Sequence, residues 1–281
     1  MKVGLIGYGY WGRKLAKEYK DLGIDLSICD LVAPNAVRNY EQMFKKVNSV
    51  HIATPNETHY RIATDALNAG MNILVEKPMT KKSIDAYDLV NLAEEKNLKL
   101  QVGHIFRFDN SVRTLKKYIR KGELGDVYNA KLTWTTNQVP LPPERDIIFD
   151  LGPHPVDILN YIFREYPTNV SARSESYVRK QTGLEEWAML NLEYSSNKHA
   201  TVELSWIDPR EKKREIQINA SKVCATVDTT NQTMKLYRGK DMINIPIERS
   251  NTIREEILNF MNGESNGEIG AKTVEILERM I

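Results

Sequence analysis

Cysteine is nearly missing from this 281-residue sequence: only Cys29 and Cys224 are present, and they stand far apart. Two such residues exclude a disulfide framework and, lacking a second pair, a zinc ribbon. The five histidines are scattered, so no metal site is expected. No apolar run approaches the roughly 20 residues that cross a bilayer, and a membrane is not an expected partner. An excess of one charge is absent too: 39 basic residues face 37 acidic ones, for a net charge of +2, with no basic tail. Nucleic acid is therefore not expected either. Met1 to Gly7 runs directly into a strand pattern, which leaves no signal peptide there, and with so little cysteine the expected compartment is the cytoplasm.

Apolar material is plentiful. Hydrophobic residues make up 41%, with thirteen Tyr, four Trp and six Phe, enough for true cores. The length favours two domains. Up to about residue 102, short runs rich in Ile, Val and Leu alternate with amphipathic stretches, the grammar of β-α units around a parallel sheet. Strands are expected at Lys2–Ile6, Leu26–Cys29, Ser49–Ala53, Asn72–Val75 and Leu98–Val102. Helices are expected at Trp11–Leu22, Asn56–Ala69, Ser83–Lys96 and Asn110–Arg120.

After Gly122-Glu-Leu-Gly125 the pattern changes to long alternating runs. Val127–Thr136, Val170–Arg179, Trp187–Tyr194, Ala200–Trp206, Glu215–Ala220 and Met234–Tyr237 all have strand periodicity, separated in places by turn residues as in antiparallel meanders. One helix, Pro155–Phe163, interrupts them, and two more, Thr252–Met261 and Glu268 to the end, close the chain. The expected fold class is α/β plus α+β: a doubly wound parallel Rossmann sheet over residues 1–121, then a mainly antiparallel open sheet over residues 122–281 for substrate and oligomer contacts.

Gly7-Tyr8-Gly9-Tyr10-Trp11-Gly12 leaves the first strand and opens the first helix, as a dinucleotide fingerprint requires. Gly7 permits the tight turn, Gly9 removes the Cβ that would block the pyrophosphate, and Gly12 lets helix and strand approach. The helix N-terminus supplies unpaired N–H donors and partial positive charge to the phosphates. Asp30 ends the second strand, where a carboxylate accepts from the adenosine ribose hydroxyls and repels a 2′-phosphate. NAD is thus expected in preference to NADP.

Glu76-Lys77-Pro78 follows the fourth strand and sets a lysine at the carboxyl edge of a parallel sheet, the side on which open α/β folds bind ligands. Pro78 restricts Lys77 to extended backbone. Asp150-Leu-Gly-Pro-His154 enters the interrupting helix. Where helical geometry holds, residues four apart share a face, although Gly152 and Pro153 make that turn irregular. A histidine titrating near neutrality suits removal of a hydroxyl proton, and a carboxylate beside it would orient the ring. The bland alternative keeps His154 as a capping or core residue and Asp150 as an N-cap.

Taken together, the glycine turn, Ala53-Thr-Pro-Asn56 with His59, Glu76-Lys-Pro78, Val102-Gly-His-Ile-Phe-Arg-Phe108, Gly122-Glu-Leu-Gly125 and Asp150-Leu-Gly-Pro-His154 resemble the glucose-fructose oxidoreductase and inositol dehydrogenase family over most of the chain. The resemblance implies a catalytic set of Lys77, Asp150 and His154. It implies cofactor contacts from Gly7, Gly9, Tyr10, Trp11, Gly12, Asp30, Thr54, Pro55, Asn56, His59, Glu76, Lys77 and Arg107. Arg107 should also lie near the domain junction, and His59 should support its loop. Many relatives carry a glycine-rich stretch where this sequence has Arg145-Asp-Ile-Ile-Phe149, so Arg145 is either a contact for an anionic substrate or a surface ion pair.

The implied activity is hydride transfer between a nicotinamide and a secondary hydroxyl of a sugar, polyol, sugar acid or sugar nucleotide. A homo-oligomer, dimer or tetramer, through the C-terminal sheet is implied as well. The alternative is a catalytically inactive dinucleotide-binding sensor on the same fold.

Overall fold

Short runs such as Ser49-Val-His-Ile52, buried at every position, can only be interior strands of a sheet covered on both faces. In the computed structural model, which describes residues 2–138, 140–141, 145–263 and 265–281, they are. The first half of the chain forms β1 (Lys2–Ile6), α1 (Tyr10–Asp21), β2 (Asp25–Cys29), α2 (Tyr40–Phe44), β3 (Ser49–Ile52), α3 (His59–Asn68), β4 (Asn72–Val75), α4 (Ser83–Glu95) and β5 (Leu100–Val102). All pairings are parallel, in the order β2-β1-β3-β4-β5. The expected strands are all present, with ends shifted by a residue or two. The expected helix Asn56–Ala69 instead begins with a 3-10 turn over Asn56–Thr58.

The second stretch runs through α5 (Asn110–Arg120), β6 (Val127–Thr135), α6 (Ile147–Leu151), α7 (Pro153–Phe163), β7 (Asn169–Glu175), β8 (Trp187–Glu193), β9 (His199–Ser205), β10 (Lys213–Ala220), β11 (Cys224–Asp228), β12 (Thr233–Arg238) and β13 (Asp241–Ile245). Eight strands pair in the order β13-β12-β11-β10-β6-β9-β8-β7, antiparallel except at β6–β9. Register lines up one apolar row across the sheet: Leu190, Val202, Leu132, Ile216 and Val227 are successive partners, and all are fully buried. Burying each such side chain contributes roughly 1.5–3 kcal/mol. Helices α5, α6 and α7 pack on this unit. Strands β11 and β13 lack a sequence expectation; the exposed edge strand β13 has no alternation to find.

The last helices, α8 (Thr252–Asn262) and α9 (Gly267–Glu278), return to the first unit. The compact units are therefore residues up to Ile105 with Thr252–Glu278, and Phe106–Asn251 with the last three residues, rather than the contiguous split expected at residue 121. The physical reason is burial. Ile257 joins Val3, Leu5, Leu15 and Tyr19 in one core cluster, and α9 docks on α4 through Tyr87 Oη donating to Glu275 (2.6 Å). Helix α5, expected in the first unit, packs instead on α7 and β11. Among the described residues no helix is long and apolar enough to cross a membrane.

Candidate functional site

In the first unit the glycine turn is shaped by three different demands. Gly7 has φ +98°, and a Cβ there would lie 2.5 Å from the Ala53 carbonyl oxygen; a Cβ on Gly12 would collide with the Gly7 carbonyl. Beyond Gly9, by contrast, a Cβ would meet nothing within 4 Å. The turn is thus packed from behind and open in front. Gly9 is the N-cap of α1 and offers no side-chain cap, so the first N–H groups of the helix remain available to an anion. These features fit a dinucleotide pyrophosphate.

Asp30 is tied to that turn. One carboxylate oxygen accepts from Tyr8 N (2.8 Å), the other from Val32 N (2.9 Å) and Ala33 N (2.8 Å). Burial alone would raise its pKa, but the three amides and Arg38 outweigh it and hold the carboxyl below its ordinary range. A carboxylate has about four lone-pair positions, which leaves room for a hydroxyl donor. Arg38 donates to the Asp30 carbonyl at 2.7 Å.

Thr54, Pro55 and Asn56 follow β3, with Thr58 Oγ1 donating to Thr54 Oγ1 (2.7 Å). Lys77 is half-buried after β4, and its peptide bond to Pro78 is cis. Two residues expected at the cofactor work from behind these loops. His59 is fully buried, with Nδ1 2.9 Å from the Pro78 carbonyl and Nε2 2.9 Å from the Thr54 carbonyl, so its ring ties the two loops and keeps no nitrogen for a ligand. Burial lowers its pKa against the pull of both carbonyls. The Glu76 carboxylate also turns inward, accepting from Trp11 Nε1 (2.5 Å) and facing His51 Nε2 (3.3 Å), whose Nδ1 faces Tyr19 Oη (3.2 Å). Trp11 is thereby engaged in holding the turn. Tyr10 is 77% exposed at the helix start.

The second unit carries Asp150 and His154. Asp146 caps α6, accepting from Phe149 N at 2.7 Å. Gly152 has helical dihedrals (φ −60°, ψ −31°), and Val156 N bonds Gly152 O, so the chain passes from α6 to α7 without losing the four-residue spacing. Asp150 and His154 therefore share a face, as expected if helical geometry held. Phe106 packs edge-on against His154 (centroids 5.0 Å) and against Trp134 (5.2 Å). Arg145 Nη1 lies 3.5 Å from Asp150 Oδ1.

The Arg107 guanidinium is engaged within the second unit. It forks onto Asp157 with bonds of 2.9, 2.9 and 2.7 Å and lies over the Tyr161 ring at 4.9 Å. Asp157 is 1% exposed, so the pair anchors the helix that bears His154. Sequence reasoning also missed Arg214, whose signal was available: it falls in phase with the buried Ile216 and Ile218 of β10.

Comparison with known proteins places these features. Residues 26–104 match a model described as an oxidoreductase family with an NAD-binding Rossmann fold, and residues 112–226 match the GFO/IDH/MocA C-terminal domain. The chain belongs to this oxidoreductase family. The UDP-N-acetylglucosamine 3-dehydrogenase of Acidithiobacillus ferrooxidans is 26% identical over 93% of this family member and 88% of that protein. Its solved structure has a TM-score of 0.89 at 24% identity, covering 100% of this chain and 96% of that one. The NADP-linked scyllo-inositol 2-dehydrogenase of Bacillus subtilis is 26% identical over 63% of this chain and 56% of its own length. Nothing in these matches points to an inactive sensor.

Proposed function

We propose that this family member oxidises or reduces a secondary hydroxyl of a carbohydrate-like substrate, a sugar, polyol, sugar acid or sugar nucleotide, with NAD rather than NADP. The observation that carries the reading is the Gly7–Gly12 turn, packed behind and open in front, together with an amide-held Asp30. The relatives named for UDP-N-acetylglucosamine and scyllo-inositol support the substrate class. Asp30 supports NAD, since a 2′-phosphate would meet its charge.

When bound, the nicotinamide supplies the two-electron hydride acceptor or donor. In the oxidative direction His154 takes the hydroxyl proton, Asp150 orients its ring and stabilises its charged form, and Lys77 donates a hydrogen bond to the oxygen as negative charge develops. Gly7, Gly9, Tyr10, Trp11, Gly12, Asp30, Thr54, Pro55 and Asn56 form the dinucleotide's surroundings, with Glu76, His59 and Arg107 acting through the loops and helix they hold. We extend the reading to a cytoplasmic protein that self-associates through the eight-stranded sheet, which light scattering tests directly.

The decisive experiment screens sugars, polyols, sugar acids and sugar nucleotides for NADH absorbance, with Lys77→Ala and His154→Ala alongside. Turnover sharply lowered in both variants at unchanged NAD affinity is expected. Full turnover in both would remove the mechanism.

A further inference from the structure

Arg214 sits at the end of β10 in a row of sheet partners, Ala188, Leu204, Trp134 and Arg214, whose other members are apolar and fully buried. The residue is itself only 8% exposed. A guanidinium placed there has lost most of its hydration, and such groups are usually matched by a carboxylate. Among the described residues none stands within ion-pair distance of it. Its bonds are made by Nη1 alone, to the Thr135 carbonyl (2.9 Å) and the Lys213 carbonyl (2.8 Å). The face of the guanidinium lies 5.4 Å from the Trp134 ring centroid.

What remains is informative. Two Nη1 protons account for two of the five donors, leaving the Nε and Nη2 protons, the edge whose geometry matches two oxygens of a carboxylate or phosphate. That edge has no acceptor among the described residues and is not among the buried atoms lacking a partner, so it keeps contact with solvent. Burial pushes the Arg214 pKa down to about 10, and the Asp150 carboxylate pulls the other way. The side chain is therefore charged at neutral pH and lies within the electrostatic reach of Asp150. Trp134 also packs against Phe106, which packs against His154, so Arg214 and His154 belong to one aromatic-lined cluster. Arg145 and Arg214 both bring positive charge toward Asp150.

We propose that Arg214 is a substrate-binding residue whose Nε–Nη2 edge takes an anionic group, so that the substrate of the proposed dehydrogenase is an acidic carbohydrate rather than a neutral sugar or polyol. The proposal rests on the reading of the Asp150–His154 pair given above. The same fork suits the carboxylate of a sugar acid and the diphosphate of a sugar nucleotide. Arg145, half-exposed and already beside Asp150, adds a weaker, screened attraction.

The test compares matched ligands by calorimetry on the NAD-saturated protein: glucuronate against glucose, and UDP-N-acetylglucosamine against N-acetylglucosamine. A preference of about tenfold or more for the charged member of either pair is expected, and the pair showing it names the source of the anion. Arg214→Met should abolish that preference, whereas Arg214→Lys, which keeps charge without the fork, should retain part of it. Melting temperature and NAD affinity report folding. Should Arg214→Met fail to fold, the wild-type preference and the lysine variant still decide. Equal affinity within both pairs, or a preference that survives Arg214→Met, overturns the proposal. Anion preference without NADH formation from any bound ligand would leave the subsite standing and remove the dehydrogenase reading; NADH formed equally well from the neutral sugars would do the reverse.

Discussion

The two units build their chemistry from different materials. In the first, the features fit for a dinucleotide are mostly main-chain groups: the turn Gly7–Gly12, the uncapped start of α1, and the amides that grip Asp30. In the second, the cluster is made of side chains from Phe106, Trp134, Asp150, His154 and Arg214, brought in by the 3-10 turn Ile105–Phe108 and by β6, α6, α7 and β10. A main-chain site survives most substitutions except those that add bulk where glycine stands. A side-chain site breaks at single residues.

The contrast is broken most sharply by removing the proposed proton acceptor. His154→Ala should lower kcat by about 10²–10⁴ with NAD affinity unchanged, and Lys77→Ala should act similarly; single-turnover kinetics beside fluorescence titration of NAD measure both. If the two act on one substrate oxygen, the double variant should cost much less than the product of the single effects. Independent, multiplying losses would separate their roles.

Bulk in the first unit comes next. Gly12→Val places atoms against the Gly7 carbonyl, and dinucleotide affinity should fall by about 100-fold or more, while Tyr10→Ala, at an exposed position, should change it by less than about threefold. Equal effects would contradict a site built from backbone.

A third variant tests whether the second unit depends on its anchor. Asp157→Ala leaves the Arg107 guanidinium without its carboxylate, and stability should drop by about 3 kcal/mol in denaturant titration, with kcat falling and NAD affinity preserved. Loss of NAD affinity instead would restore Arg107 to the cofactor.

The smallest effect concerns Asp30. Asp30→Asn should weaken NAD binding by roughly tenfold and narrow its margin over NADP. Because the folded pKa lies below the ordinary value near 3.9, the stabilisation from this carboxylate is present above about pH 4 and lost as pH falls further. The difference in melting temperature between wild type and Asp30→Asn should accordingly be constant from pH 5 to 8 and shrink below pH 4. Growth of that difference in acid would reverse the assignment.

Much of this was legible beforehand, and unevenly. The five parallel strands, the glycine turn and Asp30 depend on residues close in sequence, so periodicity and spacing expose them. His59 supports its loop as the motif implied, whereas Glu76 and Arg107 show that motif membership does not say which way a side chain turns: each is engaged by partners inside its own unit. Arg214 sat in phase with core isoleucines, a signal that only becomes meaningful once register shows what lies beside it.

Sequence by itself determined the alternation of apolar and polar residues, the glycine positions where no side chain fits, and the family motifs, because these follow from local sterics and from which faces must leave water. Tertiary structure alone decided that α8 and α9 rejoin the first unit, that α5 leaves it, and that a buried arginine stands among the aromatics near His154. Those outcomes turn on contacts between residues distant in sequence, from dozens to more than two hundred positions apart, and no local pattern encodes which partner a buried face will meet.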